Sequence, residues 1–310
     1  LYGTSSGLTT VGSRLWNQNR AGGESEANDR FGHTLAVGDF DNDGHDDLAV
    51  GAPGETVTGF SGAGAVSILF GSESGLDRSR TQYWTRAGAV PGVSRTGDGF
   101  GQSLTTGDFD DDGYADLVVG APGTTVGEME DAGSAAVLFG GPDGLTTTGA
   151  QLLEAGDGAG GGAGEDSETS DAFGSALAAG DFDGDGHDDL AVGSPGDDDA
   201  RGEIVVYRGG DAGVVVVSTL SAAGDVAGRP QAGDRFGAAL RSGDFNGDGF
   251  ADLAVGVPGE TARGRTETGA IVTLDGSATG LTAAGSRALT QRSPGVRGVG
   301  NAGDNWGSAL

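Results

Sequence analysis

The chain has 310 residues, with 46 acidic against 17 basic side chains and a formal net charge of −29, and all of its basic residues are arginine. So acidic a chain is a poor partner for nucleic acid or an anionic membrane, which are held by clustered Lys and Arg. The absence of Lys excludes a P-loop lysine and Schiff-base chemistry, and the absence of Cys excludes disulfides, thiolate nucleophiles, iron–sulfur ligands and zinc–cysteine sites.

In chain order, Leu1-Tyr2-Gly3 reads as the end of one strand and Arg14-Leu-Trp-Asn17 as another, so residues 1–30 look like the end of a preceding unit. At Phe31 a repeat begins. Phe31-Gly32, Asp39-Phe-Asp-Asn-Asp-Gly44 and Gly51-Ala-Pro53 return as Phe100-Gly101 to Gly120-Ala-Pro122, as Phe173-Gly174 to Gly193-Ser-Pro195 and as Phe236-Gly237 to Gly256-Val-Pro258. Trp306-Gly307 opens one more copy. In all four complete copies Phe-Gly precedes Gly-x-Pro by 20 residues, whereas successive copies start 69, 73, 63 and 70 residues apart. Such a pattern is what insertion-tolerant loops around a rigid unit produce.

Each unit reads as β structure. Asp47-Leu-Ala-Val-Gly51 and Asp116-Leu-Val-Val-Gly120 are short runs closed by Gly, as are the segments Gly64 to Gly71, Gly133 to Gly140, Gly202 to Gly209 and Gly269 to Gly276. Gln82-Tyr-Trp-Thr85 fits a fourth strand, and no long segment has the i, i+3, i+4 spacing of an amphipathic helix. Four short strands per unit predict an all-β propeller with blades over 31–99, 100–172, 173–235 and 236–305 and the start of a further blade at 306–310, all in one domain. The extra length of each unit is expected in loops, notably Gly156 to Asp171. No apolar run approaches the roughly 18–20 residues of a membrane span. The first residue is Leu1 and the only methionine is Met129, so the true N-terminus is expected to lie upstream.

Inside each unit sits a nine-residue acidic loop: Asp39 to Asp47, Asp108 to Asp116, Asp181 to Asp189 and Asp244 to Asp252. Position 1 is Asp39, Asp108, Asp181 or Asp244; position 3 is Asp41, Asp110, Asp183 or Asn246; position 5 is Asp43, Asp112, Asp185 or Asp248; position 9 is Asp47, Asp116, Asp189 or Asp252. Oxygen ligands alternating along a tight turn suit a hard cation, and Ca²⁺ takes 6–8 of them. Position 6 is always Gly, which permits the sharp turn. Position 7 varies (His45, Tyr114, His187, Phe250), as expected of a residue that offers only its backbone carbonyl. An EF-hand would need a bidentate Glu at position 12, where this chain has Val50, Val119, Val192 and Val255. The rival reading is a solvated acidic turn without metal. Recurrence in phase and the repulsion of several carboxylates in one loop favour the cation.

Phe-Gly, then Gly-Asp-Phe-(Asp/Asn)-x-Asp-Gly-x-x-Asp-Leu, then Gly-Ala-Pro resembles the FG-GAP repeat of the N-terminal propeller of integrin α subunits and of related bacterial secreted or surface proteins. The resemblance implies blades from a seven-bladed ring, of which this chain holds four complete and two partial ones. It also implies Ca²⁺ in the loops between first and second strands, one per complete blade. Asp39, Asp41, Asp43, Asp47 and the His45 carbonyl would bind one ion, and the matching residues of the other three loops one each. Gly193-Ser-Pro195 and Gly256-Val-Pro258 depart mildly from Gly-Ala-Pro. The lack of Lys beside abundant Gly, Ala, Asp and Arg suggests a bacterial, GC-rich source.

Gly3-Thr-Ser5-Ser-Gly7 matches the nucleophile-elbow pattern, but its equivalents Gly71 to Gly75, Gly140 to Gly144 and Gly276 to Gly280 replace Ser5 with Glu73, Pro142 and Ala278, which makes it a repeated turn. The three histidines His33, His45 and His187 have no triad-like context. Gly158 to Gly164 is loop composition, and Phe31, Phe100, Phe173, Phe236 and Trp306 are expected as wedges between blades. The sequence therefore predicts a Ca²⁺-stabilised, non-enzymatic module, secreted or on the cell surface, that recognises a protein or polysaccharide. The alternative is the propeller of a secreted hydrolase or lyase, or an accessory to a catalytic domain elsewhere. Recognition is expected on the face opposite the acidic loops, in Glu55–Phe60, Thr124–Glu130, Asp197–Asp199, Glu260–Arg265, Arg86–Arg95 and Ser293–Asn301.

Overall fold

The computed structural model describes residues 1–310 except 155–167, 222–225, 229–230 and 262–265. A hairpin of β1 (Tyr2–Thr4) and β2 (Gly7–Thr9) is followed by a 3-10 turn at Gln18–Arg20. Four antiparallel four-stranded sheets follow, each a meander. The first comprises β3 (Leu35–Gly38), β4 (Asp47–Ala52), β5 (Ala65–Leu69) and β6 (Thr81–Trp84), and the second β7 (Ser103–Gly107), β8 (Asp116–Ala121), β9 (Ser134–Phe139) and β10 (Thr146–Glu154). The third holds β11 (Ala176–Gly180), β12 (Asp189–Ser194), β13 (Glu203–Arg208) and β14 (Val215–Ser221), with one helical turn, Asp197–Ala200, between its second and third strands. The fourth holds β15 (Ala239–Gly243), β16 (Asp252–Val257), β17 (Ala270–Asp275) and β18 (Thr282–Leu289).

One expectation changes. Arg14–Asn17 is not a strand: β1 pairs with β2 in a two-stranded sheet, and among the described residues no further strand lies alongside. Instead Trp16 packs on Val50 and Leu69. The Gly3–Gly7 segment is the turn of that hairpin, with a strand rather than a helix after it. The loop Gly156–Asp171 lies largely, and the Gly158–Gly164 run wholly, outside the described residues.

The cores lie between neighbouring sheets, because alternate residues of a strand face opposite sides. In β8, Leu117, Val119 and Ala121 join Phe40, Ala49, Val66 and Ile68 of the first sheet, while Val118 faces Leu190 and Val192 of the third. Burial on both faces explains why the second strands read as unbroken apolar runs. Phe100, Phe173 and Phe236 are fully buried in these seams, each side chain contributing roughly 1.5–3 kcal/mol. The repeated glycines set the spacing. A Cβ on Gly120 would overlap the Gly174 carbonyl oxygen of the next sheet, and Gly51, Gly193 and Gly256 meet Gly101, Gly237 and Gly307 in the same way. The glycine of Phe-Gly is in turn held by its own sheet, as in Gly101 N–H to Gly120 O at 3.0 Å.

Register fixes the two ends of each sheet. Gly38 pairs with Asp47, Gly107 with Asp116, Gly180 with Asp189 and Gly243 with Asp252, so all four acidic loops emerge at equivalent ends. The hairpins between second and third strands and the crossings from sheet to sheet lie at the other end.

Candidate metal centres

Each acidic loop is shaped by its own carboxylates. Position 1 accepts N–H groups from positions 5 and 6: Asp43 and Gly44 on Asp39 at 3.1 and 2.9 Å, Asp112 and Gly113 on Asp108 at 3.2 and 3.0 Å. Asp181 and Asp244 do the same with Asp185, Gly186, Asp248 and Gly249. Position 5 accepts the N–H of position 7, so Asp43, Asp112, Asp185 and Asp248 hold His45, Tyr114, His187 and Phe250 at 2.9–3.0 Å. These Asx turns, with Gly44 and its equivalents at positive φ, curl each loop back on itself.

The curl gathers oxygens. Carboxylates of Asp39, Asp41 and Asp43 in the first loop, of Asp108, Asp110 and Asp116 in the second, and of Asp181, Asp183 and Asp189 in the third each offer oxygens within 4.8 Å of one another, close enough to hold a metal ion. The fourth loop, with neutral Asn246 at position 3, presents Asp244, Asn246 and Asp248 exposed. Position 9 has a second task that sequence reasoning did not reveal. Both oxygens of Asp116, which is buried, accept backbone N–H groups, from Phe109 at 2.9 Å and Gly140 at 2.8 Å. Asp47 holds Phe40 and Gly71, Asp189 holds Phe182 and Gly209, and Asp252 holds Phe245 and Gly276. The residue thus ties the loop to the end of the third strand.

Burial shifts several of the loop acids toward the protonated form, which a bound cation would oppose. Burial raises Asp47 to about 6 and Asp116 and Asp189 to about 7; two backbone N–H donors oppose the rise in each case and neighbouring aspartates add to it. Burial also raises Asp108 and Asp110. Asp110 Oδ1 is buried without a hydrogen-bond partner. An all-oxygen donor set with a buried, unpartnered carboxylate oxygen fits a hard divalent cation, and the residues present are those such an ion would use.

The loops are stitched together across the seams. Ala115 N–H donates to Asp39 O, Asp188 to Asp108 O and Ala251 to Asp181 O at 2.9–3.0 Å, each reaching the loop before it. Asp188 also accepts the Asp108 N–H at 3.0 Å, adding a carboxylate to the second loop's surroundings from 80 residues away.

The opposite ends hold a second recurring acid that sequence reasoning missed, although its signal was present: Asp29, Asp98, Asp171, Asp234 and Asp304 each stand two residues before the aromatic. The first four are buried, and one carboxylate oxygen accepts an N–H three residues earlier, as from Arg95 to Asp98 at 2.7 Å. The other oxygen of Asp29, Asp98 and Asp171 is buried without a partner. Beside Asp98, Arg86 is only 3% exposed; it donates to Thr124 Oγ1 at 2.8 Å and Ser134 Oγ at 2.7 Å, and burial lowers its pKa to about 10. In the first sheet Gln18 donates to Glu55 in the equivalent place. Several predicted recognition residues are therefore interior: Glu55, Thr124, Asp197 and Arg86 are buried because they fill these seams. The exposed parts are the tips, including Thr58-Gly-Phe-Ser61 and Gly127-Glu-Met-Glu130; residues 262–265 of the Glu260–Arg265 segment lie outside the described ones.

Comparison with known proteins accords with this architecture. The chain is 35% identical over 167 residues to rat phosphatidylinositol-glycan-specific phospholipase D, covering 54% of this chain and 18% of that protein. It is 30% identical over 249 residues to Xenopus laevis integrin alpha-5, covering 78% of this chain and 21% of that one. It thus spans about a fifth of the length of these relatives. A rhamnogalacturonan lyase structure from Bacillus licheniformis superposes with a TM-score of 0.42 at 12% identity, over 78% of this chain and 46% of the lyase. The FG-GAP repeat profile matches residues 31–69, 100–138, 173–218 and 236–274, each starting at the buried or half-buried aromatic and spanning the acidic loop; the chain belongs to the FG-GAP repeat family.

Proposed function

We propose that this chain is a Ca²⁺-binding, non-enzymatic FG-GAP propeller segment that acts as an extracellular adhesion or ligand-recognition module. The observation that carries the reading is the set of converging carboxylates in the loops, above all Asp110, whose buried Oδ1 lacks a protein partner. One ion per acidic loop, four in all, is the stoichiometry proposed. Ca²⁺ is preferred over Mg²⁺ because the loops offer many flexible carboxylate oxygens rather than a near-ideal octahedron. Sites of this class on extracellular modules bind with dissociation constants on the order of 10⁻⁴–10⁻³ M, which suits a secreted or surface location.

The partner proposed is a protein or polysaccharide that meets the hairpin tips opposite the loops. Phe60 and Met129 are exposed at equivalent tips, framed by acids such as Glu128 and Glu130. The test is binding to immobilised matrix proteins and polysaccharides, comparing the wild type with a chain in which Gly127–Glu130 is replaced by Gly-Ser. Binding lost by a still-folded variant supports the reading, and binding lost only on altering the acidic-loop face overturns it. A second reading, that the segment accompanies a catalytic domain of a hydrolase or lyase, is favoured by the similarity to the rat phospholipase D.

A further inference from the structure

The four loops nearly share one sequence pattern, yet position 3 meets different neighbours in each. In the first loop Asp41 is buried and ion-paired with Arg80, whose guanidinium lies 3.8 Å from the centroid of the Phe70 ring. In the third, Arg208 Nη1 is 3.9 Å from Asp183 Oδ2. In the fourth, position 3 is Asn246, whose amide donates to Asp248 at 2.9 Å. Only the second loop combines a charged position 3 with no ion pair among the described residues; there Asp110 Oδ1 is buried and unpartnered.

The Arg80 guanidinium occupies Asp41 Oδ2 and leaves only Oδ1 to ligate a divalent ion, and the stacked arginine repels the incoming charge. An asparagine contributes an oxygen without charge, which lowers affinity because calcium sites are tuned by the number of charged ligands. Resting on the reading that these loops hold Ca²⁺, we propose that the loops are graded: Asp108–Asp116 fills first, and Arg80 is a tethered counter-ion that holds Asp39–Asp47 back. The seam reinforces the order, since Asp188 brings another negative charge to the second loop.

The loops report separately because Tyr114 is the only tyrosine at position 7. Terbium, a hard cation of similar size to Ca²⁺, is titrated into the whole chain with aromatic excitation, and Ca²⁺ binding is followed by calorimetry. At half an equivalent of terbium, Tyr114→Phe is expected to lose most of the sensitised emission of the wild type. Arg80→Gln is expected to tighten one Ca²⁺ site three- to tenfold while the tightest site is unchanged, and Asp110→Asn to weaken the tightest site at least tenfold. Ions that bind with emission indifferent to Tyr114→Phe, or with affinities unmoved by Arg80→Gln, overturn the grading and leave the Ca²⁺ reading standing. The absence of any Ca²⁺ heat or terbium emission sinks both.

Discussion

Both ends of each sheet carry a recurring aspartate, and the two are held in opposite ways. At the acidic-loop end, position 9 has both oxygens on backbone N–H groups, as Asp116 has with Phe109 and Gly140, while positions 1, 3 and 5 curl the loop around it. At the seam end, Asp98 has one oxygen on the Arg95 N–H and one buried without a partner, with Arg86 as its counter-charge. Recurrence of an acid therefore does not by itself signal a metal. What distinguishes the loop end is that several carboxylates converge there; at the seam end of the second sheet an arginine occupies the place a cation would take.

Substitutions sharpen this contrast, starting with the one that should cost most. Asp116→Ala strands two buried N–H groups, each worth about 1–3 kcal/mol, so a loss of roughly 3–5 kcal/mol is expected by chemical denaturation even with chelator present. Asp112→Ala, an exposed residue of the same loop, should leave cation-free stability within about 1 kcal/mol and remove most of that loop's Ca²⁺ response. Equal cation-free losses for the two would break the assignment of position 9 as the residue that anchors the loop. At the seam, Arg86→Met removes the stronger of the two guanidinium charges acting on Asp98, Arg95 being the other, although Ser134 Oγ and Thr124 Oγ1 remain bonded to each other at 2.8 Å. About 2–4 kcal/mol should be lost, independently of Ca²⁺.

Acidity offers a gentler test. Asp116 and Asp189 stand near 7 and Asp47 near 6 in the folded chain, against about 3.9 for an unfolded aspartate. Between those values the folded state keeps protons that the unfolded state has released, so the cation-free protein should lose stability as pH rises from about 4 to 7. Ca²⁺ replaces those protons. Its stabilising effect should therefore be larger at pH 8 than at pH 5, and an effect that shrinks with rising pH would count against these carboxylates facing the ion.

The repeat made much of this readable in advance. Loop positions, strand order and the buried aromatics at Phe100, Phe173 and Phe236 all follow from a period that keeps the 20-residue core constant. Partners brought in by folding were not readable. Arg80 reaches Asp41 from 39 residues away and Asp188 reaches Asp108 from 80; no other unit has an arginine at the position of Arg80, and position 8, where Asp188 stands, is Asp46 in the first loop but Ala115 and Ala251 in the second and fourth. Arg86 looked like part of a surface connection because its segment is rich in Gly and Ala, yet its side chain turns inward to Thr124 and Ser134. The seam aspartates failed to stand out for a different reason: their spacing to the aromatic is constant, but a single acid before Phe-Gly lacks the alternation that marks a metal loop.

Binding of Ca²⁺ to the folded loops can be measured directly. Differential scanning calorimetry of the chain at pH 7.5, with 10 mM Ca²⁺ and then with excess chelator, measures it. With dissociation constants on the order of 10⁻⁴–10⁻³ M, each filled site should add about 1.4–2.7 kcal/mol. The melting temperature should thus rise by several degrees with Ca²⁺ and fall back with chelator, and Asp110→Asn should reduce the rise by about one site's share. An identical melting temperature in both buffers would contradict the assignment of the acidic loops as calcium sites.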